Sequence, residues 1–301
     1  MKFASIDIGS NAVRLLISSW TPDNINEPFK RVEFVRVPLR LGDDAFRDKK
    51  ISKEKKQLLY KAMEAFRLLM DVHGVDDYMA CATSAMREAK NGKKIAQKIA
   101  EELDIEIDII TGKRESELIL RSVKDYFPET GNYLTIDVGG GSTEMTIIED
   151  HEPMFSASFD IGTVRMIDSS IKEKTWDEAE KWIKEHTSHL KTVTAIGTSG
   201  TMNKLFRMGQ EPGEEFISYT NLLELHKMLK KYTVAERIEK LKLNPDRADV
   251  IEPSAFIYLK IMKWAGCEKI HSPSAGLKDG MLMELASRYD KVLKVALESD
   301  N

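Results

Sequence analysis

The chain is short of the residues that make thiol and imidazole chemistry. It holds two cysteines, Cys81 and Cys267, far apart and without metal-ligand spacing. That excludes a disulfide scaffold and a zinc–thiolate site, and it fits a reduced, cytoplasmic setting. Both read as small buried apolar residues. The six histidines avoid every glycine-rich turn. No apolar run approaches the roughly 18 residues of a membrane span. The first residues lack the basic region, apolar core and small-residue site of a secretory signal. A large charge imbalance is also absent. Net charge is −4 and the isoelectric point about 6.0, which gives no sign of a nucleic-acid or membrane surface. An anionic substrate therefore needs locally placed basic residues. What is present is ordinary soluble composition, 42% hydrophobic and 31% charged over 301 residues, long enough for two domains.

The chemistry concentrates in Thr135–Ile147 (TIDVGGGSTEMTI). An apolar, β-branched run leads into Asp137, then Gly139, Gly140 and Gly141 with Ser142 and Thr143, and a second β-like run leaves through Glu144. Two strands joined by a glycine turn form a hairpin. Glycine lets the backbone approach a ligand closely, and consecutive amides in such a turn make a concave anion site. Carboxylates on either side make sense when a divalent cation lies between them and phosphate oxygens.

The pattern occurs twice. Ser5–Ile17 (SIDIGSNAVRLLI) aligns on it without a gap, Asp7 on Asp137 and Gly9 on Gly139, with Arg14 where the second copy has Glu144. So long a repeat points to two similar half-molecules, each with one phosphate loop: Gly9, Ser10 and Asn11 in the first, Gly139 to Thr143 in the second. A boundary is expected near 124–131, where Pro128 and Gly131 interrupt the pattern, giving a first domain over 1–124 and a second over 125–287.

Between and after the hairpins the order is strand, helix, strand, helix. A third strand is expected near 30–38, and 40–44 read as a loop. Ser52 as N-cap and Gly74 past the C-terminus bracket a helix. A short strand at 78–82 feeds Thr83–Arg87, and 105–110 read as a strand. Hydroxyls and an arginine at a strand's C-terminal end suit ligand contact in an open α/β sheet. Arg87 either forks onto a phosphate or makes a surface ion pair. Gly197–Thr201 (GTSGT) is either an anion-holding helix start or a structural turn. Phosphoryl transfer also needs a group to activate the nucleophile. Glu115, at the start of a helix after a strand and turn, is the candidate base; its position equally suits a glutamate serving the helix dipole.

Taken with the 82–89 (ATSAMREA), Thr111–Glu115, Gly162–Arg165 (GTVR), Gly197–Thr201 and Gly276–Gly280 (GLKDG) segments, these motifs resemble the exopolyphosphatase / guanosine pentaphosphate phosphohydrolase family, in its order and over nearly the whole chain. The resemblance implies two ribonuclease-H-like α/β domains of the actin, sugar-kinase and Hsp70 kind with an interdomain active-site cleft. It also implies a C-terminal helix, about 288–301, that returns to the first domain. It implies Mg²⁺-dependent release of a terminal phosphate from inorganic polyphosphate or guanosine pentaphosphate, and a homodimer. Glu115 would then activate the attacking water, Asp137 and Glu144 would hold the metal with Asp7 as a weaker ligand, and the two loops with Arg14 and Arg87 would grip phosphates. Arg114 departs from the family, which usually has a second glutamate there. A kinase on the same fold and a non-catalytic polyphosphate or nucleotide sensor are the rival readings.

Overall fold

The computed structural model describes residues 1–24, 27–127 and 130–299, the side chains of 291–299 apart. The interruption expected at Pro128 and the middle of the 21–28 loop lie outside the described residues. The chain forms two compact units, Met1–Thr111 with Leu277–Asn301, and Gly112–Gly276. No described helix is long and apolar enough to cross a membrane.

The first unit runs β1 (Lys2–Ile8), β2 (Val13–Trp20), β3 (Phe29–Val37), α1 (Leu41–Asp48), α2 (Lys53–His73), β4 (Asp77–Ala82), α3 (Ser84–Glu88), α4 (Gly92–Leu103) and β5 (Asp108–Ile109). Its sheet order is β3-β2-β1-β4-β5. β2 is antiparallel to both neighbours, whereas β1, β4 and β5 are parallel.

The second unit runs α5 (Gly112–Val123), a 3-10 turn (Lys124–Tyr126), β6 (Asn132–Val138), β7 (Thr143–Glu149), β8 (Glu152–Phe159), α6 (Thr163–Ile167), α7 (Glu173–Thr187), β9 (Thr194–Gly197), α8 (Gly200–Gly209), β10 (Phe216–Ser218), α9 (Tyr219–Lys231), α10 (Val234–Glu239), α11 (Pro245–Ala248), α12 (Ile251–Ala265) and β11 (Lys269–His271). Its sheet order is β8-β7-β6-β9-β11-β10. The first five strands repeat the directions of the first unit, and β10 adds an antiparallel edge. The sequence duplication is thus a duplication of topology, and the order is that of the ribonuclease-H-like fold. Helix α13 (Leu277–Ser299) closes the chain and belongs to the first unit.

Local chemistry accounts for these elements. Ser52 caps α2 by accepting from the Lys55 amide at 3.2 Å, and Gly74 ends it at φ 61°. Between the caps Leu59, Ala62, Met63, Phe66 and Met70 form the buried face. Residues 40–44, expected as a loop, open α1 instead. Arg40 takes a left-handed conformation, Asp43 and Asp44 favour the helix start, and Leu41, Ala45 and Phe46 are buried. The strand expected over 105–110 narrows to Asp108–Ile109, an edge held by two register pairs with β4. The division between units falls at Thr111/Gly112 rather than near 124, because α5 packs on β7 and β8 and its Val123 joins a cluster with Phe127, Tyr133, Ile148 and Ile196. Glu115 is therefore part of the second unit.

Helix α13 packs on β1, β2 and β4. Leu282, Leu285 and Ala286 meet Phe3, Leu16 and Trp20, and the Tyr289 hydroxyl donates to Asp77 at 3.1 Å. Leu285 is fully buried, so Leu285→Ala leaves a cavity in the sheet face that carries Phe3. We expect a loss of about 3 kcal/mol, read as a lower urea midpoint at unchanged m-value.

Candidate functional site in the second unit

The β6–β7 hairpin holds most of the predicted chemistry. Register pairing puts Asp137 directly opposite Glu144 and Val138 opposite Thr143. Gly139 closes the turn by donating its amide to the Ser142 carbonyl at 2.9 Å. Glu144 is 3% exposed, and its Oε1 accepts from the Ser158 hydroxyl at 2.8 Å. Ser158 is Glu144's register partner on β8. Asp137 Oδ2 accepts from the Thr198 hydroxyl at 2.6 Å, just past the end of β9. Both hydrogen-bond partners are neutral hydroxyls.

The glycine turn is held from outside. The Thr163 amide donates to the Gly139 carbonyl at 3.0 Å, the Val164 amide to the Gly140 carbonyl at 2.9 Å, and Arg165 Nε to the Gly141 carbonyl at 2.6 Å. The Thr143 hydroxyl donates to the Ile161 carbonyl at 2.6 Å. Among the described residues, nothing accepts from the amides of Gly140, Gly141 or Ser142, although Gly141 and Ser142 are buried. A buried N–H without an acceptor is costly. A run of three in a glycine turn is the structure an anion completes.

Beneath the turn, Tyr258 of α12 is fully buried. Its hydroxyl lies 3.1 Å from Ser199 Oγ and 3.4 Å from both the Val138 amide and the Ile136 carbonyl. Burial pushes its phenol well above the ordinary tyrosine range, and the charge of Asp137 adds to the effect. Tyr258 therefore stays protonated as a neutral strut under the hairpin. Ser199 Oγ also caps α8, accepting from the Met202 amide at 3.0 Å. Gly197–Thr201 thus serves the site through Thr198 and Ser199 side chains.

Helix α5 starts over the same carboxylate. A Cβ on Gly112 would lie 2.4 Å from Ser158 Oγ and 3.6 Å from Glu144 Oε1. Only glycine lets the helix begin this close. Glu115 sits in that first turn, 8% exposed. Arg114 points elsewhere, to Glu117 at 3.4 Å.

The first unit carries the sister hairpin. Gly9 donates to the Ala12 carbonyl at 3.1 Å, repeating the Gly139 closure. Asp7 pairs across the ladder with Arg14, and the two form an ion pair. Ser10 Oγ is 2.8 Å from Ser84 Oγ, and the Asn11 carbonyl accepts from the Arg40 amide at 2.9 Å. Arg87 donates from Nη1 to the Ile110 carbonyl at 2.7 Å, a third role beside the phosphate fork and the surface ion pair. Where the first hairpin opposes aspartate with arginine, the second opposes it with glutamate.

That substitution is the test of a metal. Asp137 and Glu144 offer an all-oxygen donor pair suited to a hard divalent cation. Among the described residues no cluster of three or more His, Cys, Asp or Glu is arranged to hold an ion. Two carboxylates would then leave the remaining positions to water and substrate oxygens, which fits a cation that keeps much of its hydration. Asp7 is engaged by Arg14.

The sequence points to the hairpins, Glu115 and the Gly197–Thr201 segment that holds Thr198, but not to Ser158, Tyr258 or Thr198's partner, and it gives Arg165 no role. Ser158 follows only from β7–β8 register, and Thr198 only from the β6–β9 pairing. The GTVR run was the visible signal for Arg165.

A duplicated ribonuclease-H-like topology with an anion-ready glycine hairpin flanked by carboxylates defines a phosphate-handling α/β protein. The chain belongs to the Ppx/GppA phosphatase family, whose model matches residues 26–289. It is 28% identical over 287 residues to a bifunctional 3-dehydroquinate synthase/phosphatase of Fusobacterium nucleatum, covering 87% of this chain but only 43% of that protein's length. It is 24% identical to exopolyphosphatase 1 of Mycobacterium bovis, over 94% of this chain and 88% of that one. A crystal structure of an exopolyphosphatase from Cytophaga hutchinsonii superposes with a TM-score of 0.81 at 26% identity, over 95% and 97% of the two chains.

Gly162 is where this geometry is least tolerant. A Cβ there would stand 2.3 Å from the Gly140 carbonyl oxygen and 2.5 Å from the Gly141 nitrogen, both backbone atoms that cannot rotate away. Gly162→Ala must displace the turn or the start of α6. We expect a loss of about 3 kcal/mol, measured by chemical denaturation.

Proposed function

We propose that the protein hydrolyses phosphoanhydride bonds, releasing terminal phosphate from inorganic polyphosphate. The observation that carries this reading is the run of three acceptor-free amides at Gly140, Gly141 and Ser142 beside the opposed carboxylates Asp137 and Glu144. The match to an exopolyphosphatase 1 over most of both chains supports the substrate class.

In this reading the amides of the glycine turn hold oxygens of the terminal phosphate and favour its developing charge. Within the first unit, its own hairpin residues Gly9, Ser10 and Asn11, with Arg14 and Arg87, are candidate phosphate contacts of that unit alone. Asp137 and Glu144 would hold Mg²⁺, which would neutralise phosphate charge when bound. Glu115 takes a proton from water as its oxygen attacks the terminal phosphorus. The bond from that phosphorus to the bridging oxygen breaks, and the bridging oxygen leaves with the shortened chain. Ser158 and Thr198 hydrogen-bond these two carboxylates and aim them. The duty divides between a base in a helix and ligands on a strand pair.

Glu115→Gln keeps size and hydrogen bonding but cannot take the proton. Turnover of polyphosphate should fall by about 10²-fold or more, with polyphosphate affinity retained by calorimetry. Chelation by EDTA should abolish phosphate release, and added Mg²⁺ should restore it. A release panel over tripolyphosphate, long polyphosphate, guanosine pentaphosphate and ATP decides the substrate. Preference for guanosine pentaphosphate would move the protein to the nucleotide branch, and Glu115→Gln turnover equal to wild type would remove Glu115 from the chemistry.

A further inference from the structure

Peptide geometry links the outward carbonyls of the glycine turn to its amides. A trans peptide is planar, with C=O and the following N–H pointing in opposite directions. Fixing the Gly139 carbonyl therefore aims the Gly140 amide, fixing the Gly140 carbonyl aims the Gly141 amide, and fixing the Gly141 carbonyl aims the Ser142 amide. These are the same three amides that have no acceptor among the described residues. The three carbonyls are captured in order by consecutive residues, Thr163, Val164 and Arg165.

The captures differ in kind. Thr163 and Val164 use main-chain amides, which any residue but proline supplies. The Gly141 carbonyl is held by a side chain, Arg165 Nε at 2.6 Å. Arg165 is 5% exposed, and its Nη2 reaches Asp160 at 3.4 Å. Its own carbonyl accepts from the Ser170 amide at 2.9 Å and the Ser170 hydroxyl at 3.2 Å, anchoring its backbone. Glycine peptides rotate easily between alternative conformations, so an unheld Gly141–Ser142 peptide is free to turn its amide away. The planar fork of arginine fixes direction as well as charge, which a lysine ammonium does not.

We propose that Arg165 is a positioning residue that locks the Gly141–Ser142 peptide so that the Ser142 amide faces the phosphate. It touches no substrate atom and acts through a carbonyl. The inference rests on the reading of this turn as the phosphate site and adds the device that sets its last amide.

The probe is inorganic phosphate, titrated into isotopically labelled full-length protein and followed by amide NMR. In wild type, the Gly140, Gly141 and Ser142 amides should shift together. The Arg165 Nε–H should be protected from exchange and shift on the same isotherm. In Arg165→Met and Arg165→Lys, the Ser142 response should be lost while Gly140 still responds, with phosphate affinity lowered by about tenfold. In turnover the same variants should raise KM for tripolyphosphate by a similar factor, with a smaller change in kcat. A purely structural role for Arg165 would lower the melting temperature and leave Ser142 responding as before, and that result in either folded variant overturns the proposal. A rapidly exchanging Arg165 Nε–H in wild type overturns it without any variant. Amide shifts without polyphosphate hydrolysis would sink the proposed activity and leave the clamp standing, whereas no shift at all three amides would sink both.

Discussion

Two carboxylates facing each other across a β-ladder are the constraint around which the second unit is arranged. Cross-strand partners hold their Cβ atoms about 5 Å apart, and two like charges at that separation repel by about 3 kcal/mol at an effective dielectric near 20. Asp137 and Glu144 are such cross-strand partners, and the hydroxyls of Thr198 and Ser158 hydrogen-bond them. The sister position in the first unit shows the alternative: Asp7 faces Arg14 and is neutralised. One residue difference between two copies of the same hairpin puts a glutamate where the first copy has an arginine.

The same hairpin also concentrates a deficit of hydrogen-bond acceptors. Its carbonyls are collected by the start of α6, and its Gly140, Gly141 and Ser142 amides have no acceptor among the described residues. This is possible because Gly162 brings α6 within contact of the turn and because Tyr258, held neutral by burial, props the strand end from below. The turn is thus held in place by groups packed outside and beneath it. Helix α5, which carries Glu115 in its first turn, starts on Gly112 against Ser158.

Family membership and local geometry carry different parts of the functional reading. The match to the Ppx/GppA phosphatase family covers most of the chain, whereas the relatives it resembles differ in length and in what else they carry. The Fusobacterium protein is more than twice as much chain as the shared region.

The two hairpins, the caps of α2 and the helix that begins before Glu115 were legible in the sequence. Each rests on signals within a few residues: alternation, a glycine turn, a serine N-cap, a glycine in the left-handed region. The helix at 41–48 and the three-residue strand at 216–218 were not, one because an arginine rather than a glycine takes the left-handed turn before it, the other because three residues carry no period. Tertiary structure alone decided which distant groups serve the carboxylates. Ser158 reaches Glu144 through strand register and Thr198 reaches Asp137 through a parallel pairing 61 residues away. It also decided that Glu115 travels with the second unit. Local sequence specifies how a segment bends and which face it buries; which segments then lie side by side depends on the packing of the whole sheet, and no short stretch of residues encodes that.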